Sequence, residues 1–287
     1  MAFDGKRAMG YLEGLCKIGP RISGTDGMTK QQDLLEKHFK ELGGKISWQR
    51  FTAKQKSRRE PVEMANLIVS WQPEKERRII ICSHYDTRPI ADQEPERRNW
   101  TKPFLSANDG GSGVALMMEL AHAMQDLETS VGVDFVFFDG EEYIFDPGDF
   151  ERPVDKYFFG SENFGLEYRK KRDKAKVRYV GAVLLDMVGG KNPHFPIEQN
   201  SLLKADKLTD EIWKIAEEQK CTAFKNSLGN EVLDDHIALN EAGIPAVDII
   251  DFKYPHWHKL SDVPENCGAD GLAQVARVLG VWMQRAK

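Results

Sequence analysis

The chain has 287 residues, of which 41% are hydrophobic and 30% charged, and its formal net charge is −5. This is ordinary globular composition with enough apolar residues for a large core, and the negative charge argues against nucleic acid or an anionic membrane as a partner. No stretch approaches the ~20 apolar residues of a transmembrane helix, and the first residues lack the apolar segment of a signal peptide.

Predicted helices and strands alternate along the chain. Hydrophobic periodicity predicts helices at 5–19, 29–44, 112–127, about 202–219, 234–243 and from about 269, and strands at 45–53, 64–72, 77–86, 131–142, 178–190 and 244–252. No repeat or linker divides this pattern. We therefore predict a single domain over 1–287, with three α/β/α layers around a central mixed, mostly parallel, twisted sheet.

Acidic and histidine side chains follow the buried strands of this prediction. In chain order they are His84 and Asp86, then Asp139, Glu141 and Glu142, then Asp186, then His256 and His258. Ligands of such sheets bind beyond the carboxyl ends of the strands, so these side chains are candidates for one functional site.

Five of the candidate residues suggest a metal centre. One acid at a strand end is more often a cap or a turn residue, but histidine and carboxylate ligands converging on one rim are typical of zinc. The five candidate ligands are His84, Asp109, Glu142, Asp186 and His258. Glu141 and Glu142 are adjacent past a strand end and point in different directions, so one can bind metal while the other faces the substrate as a base.

The stretch "LDDHI" and the cysteines raise separate questions. Asp234 and Asp235 are adjacent acids beside a predicted buried strand, where an unpaired carboxylate costs several kcal/mol. The four cysteines are far apart and form no CxxC pair, so we expect free buried thiols; a Cys221–Cys267 disulfide stays open.

Five motifs carry a resemblance to a known superfamily. "SHYDTR", "SANDGGSGVA", "FFDGEE", "LLDMVG" and "DDHI…GIP…WH", in this order, resemble the M28 zinc peptidases nearly from end to end. Within that superfamily they are most similar to the animal-type glutaminyl cyclases (glutaminyl-peptide cyclotransferases) and their bacterial relatives.

The resemblance implies two alternative activities on nearly one ligand set. In a dizinc aminopeptidase, Asp109 would bridge two ions, with His84 and Asp186 on one and Glu142 and His258 on the other. In a cyclase, a single zinc per chain would be held by Asp109, Glu142 and His258. A non-catalytic binding module on the same fold is a third reading, disfavoured because every catalytic position is filled.

The features that favour the cyclase lie outside the ligands. Asp234 stands where the cyclases have an acid before "DH", and it would share a hydrogen-bond network with Asp186, drawing that carboxyl away from metal. Trp257 would wall the substrate pocket, although core packing is an equal reading. Glu141 would move protons during cyclisation, and Asp234 with Asp186 would orient the scissile amide. Asp235, with the histidine after it, would give structural support.

Several positions depart from the animal cyclases. No tryptophan follows the paired glutamates, so Phe145 or another aromatic would have to serve there. Asp248 replaces a histidine, as in the bacterial relatives, and Val114 stands where a disulfide partner of Cys82 would be. We expect peptide substrates with N-terminal glutamine, no nucleic-acid or membrane partner, a monomer, and, by analogy with exported peptides, a periplasmic or secreted location.

Overall fold

A six-stranded mixed sheet lies at the centre of the protein, with a second sheet of two strands beside it. The structure is a computed structural model that describes residues 3–148, 154–172, 174 and 176–287. The strands are β1 (Lys45–Ala53), β2 (Val62–Trp71), β3 (Arg77–His84), β4 (Gly132–Phe138), β5 (Arg178–Asp186), β6 (Phe195–Ile197), β7 (Phe224–Leu228) and β8 (Ala246–Ile250). The α-helices are α1 (Gly5–Ile18), α2 (Asp26–Glu41), α3 (Gly111–Leu120), α4 (Phe159–Lys171), α5 (Gln199–Lys204), α6 (Asp206–Glu218), α7 (Asp235–Glu241) and α8 (Ala269–Arg285).

The large sheet has the strand order β1-β2-β4-β3-β5-β8. The four strands β4, β3, β5 and β8 run parallel, and β2 runs antiparallel to both β1 and β4. Parallel neighbours end at the same edge of a sheet, so the carboxyl ends of these four strands form one rim. The predicted mixed, mostly parallel sheet is confirmed.

Helices cover both faces of the large sheet. Alternate residues of a strand face opposite sides, so Ile79 and Ile81 of β3 belong to one buried cluster and Ile80 to another. The first cluster includes side chains of α1, α2, α3, α6 and α8, and the second includes Phe164 of α4 and Leu239 of α7. This arrangement is the predicted α/β/α layering.

Some predicted helix boundaries were wrong. α2 begins at Asp26 instead of 29, because the Thr25 side chain caps it by accepting from the Met28 N–H. The helix predicted at 202–219 is two helices, since the backbone leaves the helical conformation at Ala205 (φ −140°, ψ 46°). The helix predicted at 112–127 is α-helical only to Leu120 and continues as a short 3₁₀ turn.

The sequence prediction missed α4 and the small sheet. The buried side of α4 includes Gly160, Ser161 and Gly165, so it lacks the apolar stripe that marks a helix in sequence. A methyl group at Gly160 would lie within 2.7 Å of the Asp139 backbone, which explains the small residue there. β6 and β7 pair in parallel but have only three and five residues.

The four cysteines are buried and free, so the Cys221–Cys267 disulfide that the sequence left open is not formed. Among the described helices, none has both the length and the apolar character needed to cross a bilayer.

Candidate metal centre and active site

Three side chains from separate loops form a potential metal site at the rim. Asp109 lies just before α3, Glu142 follows β4, and His258 follows β8; we call these residues the ligand triad. Their donor atoms lie within 4.8 Å of one another, and all three residues are buried. His258 Nε2 is 2.5 Å from Glu142 Oε1 and 3.5 Å from Asp109 Oδ2.

The ligand triad fits a bound cation. Asp109 Oδ2 and Glu142 Oε2 are buried without a hydrogen-bond partner, a costly state for carboxylate oxygens unless an ion satisfies them. Two carboxylates and an imidazole are a ligand set that zinc commonly takes. These observations support zinc as the metal.

Asp92 and Arg88 contact two residues of the ligand triad, His258 and Glu142. Asp92 Oδ1 lies 3.0 Å from His258 Nδ1, and the Arg88 guanidinium donates to both Asp92 oxygens at 3.0 and 2.8 Å. Burial would raise the pKa of Asp92, but His258 and Arg88 outweigh it and lower that pKa to about 2. Arg88 Nη1 is also 3.6 Å from Glu142 Oε1. A carboxylate behind a metal-binding histidine fixes its ring orientation.

The Asp109 loop is held by a second buried carboxylate. Asp262 accepts the N–H groups of Asn108 and Asp109 at 2.9 and 3.1 Å and the Tyr254 hydroxyl at 2.9 Å. Gly110 follows with a φ of +69°, and a Cβ there would lie 2.7 Å from the His84 ring, so only glycine lets the loop pass this close.

Asp86 positions the paired glutamates. Its two oxygens accept the consecutive N–H groups of Glu141 and Glu142 at 3.1 and 3.0 Å. Burial and the charge of Glu142 raise the pKa of Glu141 well above its usual range. A carboxyl with a raised pKa can both accept and return a proton near neutral pH.

His84 lies between two carboxyl groups and completes a second set of potential ligands. Its Nε2 is 3.2 Å from Asp109 Oδ1 and 3.4 Å from Asp186 Oδ1, and the three residues form a second potential metal group. Burial opposes protonation of His84, but these carboxylates and Asp86 outweigh it and raise its pKa well above the usual value.

Asp186, Asp234 and Asp248 form a buried group that we call the acid cluster. Asp234 is the N-cap of α7, where its Oδ1 accepts the Asp235 N–H at 2.6 Å. Burial, then Asp186 and Asp235, raise the pKa of Asp234 well above its usual range, and burial, then Asp234 and Asp186, do the same for Asp248. Burial also raises the pKa of Asp186. Carboxyl groups that interact this closely retain protons.

Asp235 and His236, next to Asp234, face the interior of the protein. His236 Nε2 lies 3.1 Å from Glu198 Oε2, and both residues are fully buried. Burial raises the pKa of Asp235 to about 7. Neither residue belongs to a potential metal group within the described ranges, which fits structural support.

Trp257 lies next to the ligand triad. Its ring centroid is 4.1 Å from that of His258 and 5.1 Å from that of Phe252, and the side chain is half-buried. It packs against a small cluster formed by Met187, Val232, Ile250 and Tyr254. The residue is thus both a packing element and a wall beside the metal ligands.

Two aromatic residues after the paired glutamates, Phe145 and Tyr157, could replace the tryptophan that is missing there. Phe145 packs against Tyr143, with a centroid distance of 4.9 Å, and under the guanidinium of Arg58 at 4.2 Å. Tyr157 is nearer the ligand triad. Its hydroxyl accepts a hydrogen bond from Arg88 Nη2 at 3.1 Å, and Arg88 also lies close to Glu142. Its phenol pKa is raised by burial, and its neighbours include Arg88 and Glu142.

Sequence reasoning missed the roles of Arg88, Asp92 and Asp262. Each is a polar residue in a loop, and its partner is distant in sequence: Asp92 and His258 are brought together from separate loops. The only local signal was the spacing of Arg88 and Asp92, four residues apart, which is common in exposed ion pairs.

The comparison with family models decides the family. The model of peptidase family M28 matches residues 66–283. This chain belongs to peptidase family M28. The M28 chain is 23% identical over 252 residues to the glutaminyl-peptide cyclotransferase of Bothrops jararaca, an alignment that covers 76% of this chain and 64% of that protein.

Solved structures extend the similarity to whole chains. The glutaminyl cyclase of Fimbriiglobus ruber is 52% identical, with a TM-score of 0.98 over 100% of the M28 chain and 97% of that protein. A Zn-dependent exopeptidase from Parabacteroides distasonis is 27% identical, with a TM-score of 0.90 over 99% of each chain. The predicted resemblance to M28 proteins and glutaminyl cyclases is confirmed.

Proposed function

We propose that this M28 chain is a glutaminyl-peptide cyclotransferase, which converts the N-terminal glutamine of peptides to pyroglutamate and releases ammonia. The observation that carries the proposal is the acid cluster. Burial and neighbouring carboxyl groups raise the pKa of Asp186, Asp234 and Asp248, which supports a group of protonated carboxyls beside the ligand triad. The similarity to the Fimbriiglobus ruber glutaminyl cyclase supports the same activity.

The ligand triad is the proposed zinc site, with one ion per chain. Asp109, Glu142 and His258 would hold the ion, and the buried Asp109 Oδ2 and Glu142 Oε2, which have no hydrogen-bond partner, are available to bind it. Zinc, when bound, acts as a Lewis acid that polarises the side-chain amide carbonyl of the glutamine.

Glu141 is the proposed general base and acid. The α-amine nitrogen of the substrate attacks its own side-chain carbonyl carbon, so the amine loses a proton as the new C–N bond forms. Glu141 accepts that proton and returns it to the amide nitrogen, which leaves as ammonia when the old C–N bond breaks. Its raised pKa suits both transfers, and Asp86 fixes the backbone that carries it.

The acid cluster and Trp257 are proposed to position the substrate. A protonated Asp234 can donate a hydrogen bond, and with Asp186 it can hold the amide that is cleaved. Trp257 would limit the conformations of the glutamine side chain and exclude water, which favours ring closure over hydrolysis.

A dizinc aminopeptidase is the second candidate, because His84, Asp109 and Asp186 form a second potential metal group. With two ions, Glu141 would activate a water molecule and the chain would release N-terminal residues. The two candidate functions differ most clearly in their products: a cyclotransferase forms pyroglutamyl peptide and ammonia, whereas an aminopeptidase releases the N-terminal residue.

The deciding experiment compares a Gln-initiated with a Leu-initiated peptide. We expect pyroglutamyl peptide and ammonia from the first peptide and no change in the second. Free leucine from the second peptide contradicts the proposal. Zinc analysis of the purified protein should give about one ion per chain, and two tightly held ions would favour the aminopeptidase.

We also propose, by analogy with the protection of exported peptides, that the protein acts in the periplasm or outside the cell, and that it is a monomer. Fractionation of the producing cells tests the first point. Light scattering coupled to gel filtration tests the second.

A further inference from the structure

Glu198 is a buried carboxylate that no step of the proposed mechanism uses. It is 1% exposed and is the N-cap of α5, where its Oε1 accepts the Asn200 N–H at 2.8 Å and its Oε2 accepts the Ser201 N–H at 2.6 Å. A capping side chain satisfies the second or third N–H of its helix in this way. Glu198 also accepts hydrogen bonds from outside α5, so capping alone does not account for it.

Two of these outside hydrogen bonds hold the chain on either side of Asp234. Glu198 Oε1 accepts the N–H of Val232, two residues before Asp234, at 2.9 Å. Oε2 lies 3.1 Å from Nε2 of His236, two residues after Asp234. Because His236 Nδ1 is buried without a hydrogen-bond partner, the proton of the neutral ring belongs on Nε2, which donates to Glu198. One carboxylate therefore fixes the short segment that places Asp234 at the start of α7.

The same carboxylate is connected to Asp248 through Ser201. The Ser201 hydroxyl donates to Glu198 Oε2 at 2.8 Å and accepts the Asp248 N–H at 2.9 Å. Asp248 lies in β8, whereas Asp234 is the N-cap of α7. Two members of the acid cluster that come from different elements are thus held by one side chain.

The hydrogen bonds of Glu198 require an ionised carboxylate. Burial would raise its pKa, but His236 and the N–H groups of Val232 and Asn200 outweigh burial and lower the pKa to about 2. Five donors point at its two oxygens: the N–H groups of Asn200, Ser201 and Val232, the Ser201 hydroxyl and His236 Nε2. A carboxylate can accept from all of them, whereas a glutamine has an NH₂ group in place of one acceptor.

We propose that Glu198 is a positioning residue for the cyclisation: it sets the placement of Asp234 and Asp248, and through Asp234 the placement of the substrate amide. The inference rests on the proposed cyclotransferase function, in which Asp234 holds that amide. The orientation of the Asp234 carboxyl depends on where α7 begins, because its Oδ1 accepts the Asp235 N–H at 2.6 Å. A shift of the segment 232–236 therefore moves this carboxyl.

The first test introduces Glu198→Gln into the parent protein and into Asp234→Ala, and measures kcat by ammonia release from a Gln-initiated peptide. In the parent, kcat should fall by about 10–100-fold, as for a small misplacement of a group that holds the substrate. In Asp234→Ala, the same change should lower kcat by less than about threefold, because the carboxyl that Glu198 positions is already missing. Zinc content should stay near that of the parent in all variants.

An equal fall of kcat in both backgrounds would overturn the inference, since Glu198 would then act independently of Asp234. An unchanged kcat in the parent background would overturn it as well. Both results leave the cyclotransferase function intact. If the parent protein itself forms no pyroglutamate, the proposed function fails and the inference fails with it.

Two variants of His236 test one contact of Glu198 while leaving the carboxylate in place. Glutamine at 236 can donate to Glu198 from its amide in place of Nε2, whereas leucine has no donor. We expect His236→Gln to retain more than about a third of the parent kcat and His236→Leu to lose about tenfold or more. Equal kcat values for these two variants would show that the ring only fills space, against the inference.

Asp134→Asn is the matched control for the loss of a buried carboxylate. Asp134 is 2% exposed and accepts from the Arg78 guanidinium and the Tyr179 hydroxyl, near the end of β4 that is remote from the rim. It should lower the urea midpoint of unfolding, as Glu198→Gln does, while kcat stays near the parent value. If Asp134→Asn lowers kcat as much as Glu198→Gln, the loss reflects general destabilisation and the positioning role is overturned.

Discussion

The ligand triad and the acid cluster are adjacent, buried and rich in carboxylates, but they differ in the positive charge around them. In the triad, the carboxylates of Asp109 and Glu142 share their site with His258 and with Arg88 behind it. In the acid cluster, His84 Nε2 lies 3.4 Å from Asp186, but burial and repulsion by neighbouring carboxyl groups outweigh it and raise the pKa of all three carboxyl groups. We therefore expect the same type of side chain to bind metal in one place and to hold a proton in the other.

The largest effect should follow from breaking the triad. We expect Glu142→Gln to lose its zinc on dialysis and to form no detectable pyroglutamate, because the site loses a charged ligand. Elemental analysis and ammonia release measure both. Glu141→Gln is the matched neighbour: it should retain zinc while kcat falls by about 10²–10⁴-fold, the usual contribution of a general base. Zinc retained by Glu142→Gln would remove this residue from the ligand set.

The next effect concerns the acid cluster. Asp234→Ala should reduce kcat by about 10²–10³-fold, as for loss of a group that stabilises the intermediate, while its zinc content stays near that of the parent. Asp234→Asn is the control for folding, since its side chain can still cap α7. Loss of zinc from Asp234→Ala would show that Asp234 supports the metal instead. The ligand triad and the acid cluster would then not have separate roles.

A smaller effect, on zinc affinity, should come from changing Asp92, which contacts His258 of the ligand triad. Asp92→Asn removes the negative charge next to His258 Nδ1 and should weaken zinc binding by about 10–100-fold. At saturating zinc, kcat should stay near the parent value. Competition with a chelator of known affinity measures the change. Glu96→Gln, in an exposed ion pair with Arg98, is the control and should bind zinc like the parent. Unchanged affinity in Asp92→Asn would contradict the support role.

The smallest effect is on the pH dependence of stability. Asp248 has a raised pKa in the folded protein, so the folded state keeps a proton that the unfolded state releases above its usual pKa of about 3.9. The free energy of unfolding of the parent should therefore fall as the pH rises from this value towards the raised pKa, by at most about 1.4 kcal/mol per pH unit.

Asp248→Asn should show a flatter curve, because its amide does not titrate. Urea denaturation of parent and variant between pH 4 and 8 tests this, with the exposed Asp210→Asn as a control that should follow the parent. Parallel curves for the parent and Asp248→Asn would mean that the acid cluster ionises freely.

The sequence predicted the rim because its signal is local. His84 and Asp186 are the last residues of β3 and β5, and both strands are apolar runs that are easy to recognise. Once these strands are parallel neighbours, their terminal residues must meet. Given the pairing of β3 with β5, the approach of His84 to Asp186 follows from the positions where the two strands end.

The remainder depended on contacts that no local pattern records. Asp262 holds the Asp109 loop across 153 residues of sequence, and nothing near Asp262 indicates this partner. α4 was missed because its buried side combines Phe164 with the small residues Gly160, Ser161 and Gly165 and has no continuous apolar stripe. The approach of Asp248 to Asp234 and Asp186 was not predicted, because it depends on burial that arises only when the strands and α7 fold together.

The two hydrogen bonds that Asp86 accepts have a consequence for redesign of this protein. One carboxylate accepts the backbone N–H groups of both Glu141 and Glu142, so the proposed proton carrier and the proposed metal ligand depend on the same side chain. We expect that an exchange of the side chain at 141 leaves the backbone of Glu142 in place, because Asp86 binds the backbone N–H groups. A change at Asp86 would instead affect both residues, and we expect that no substitution at one glutamate alone would compensate for it.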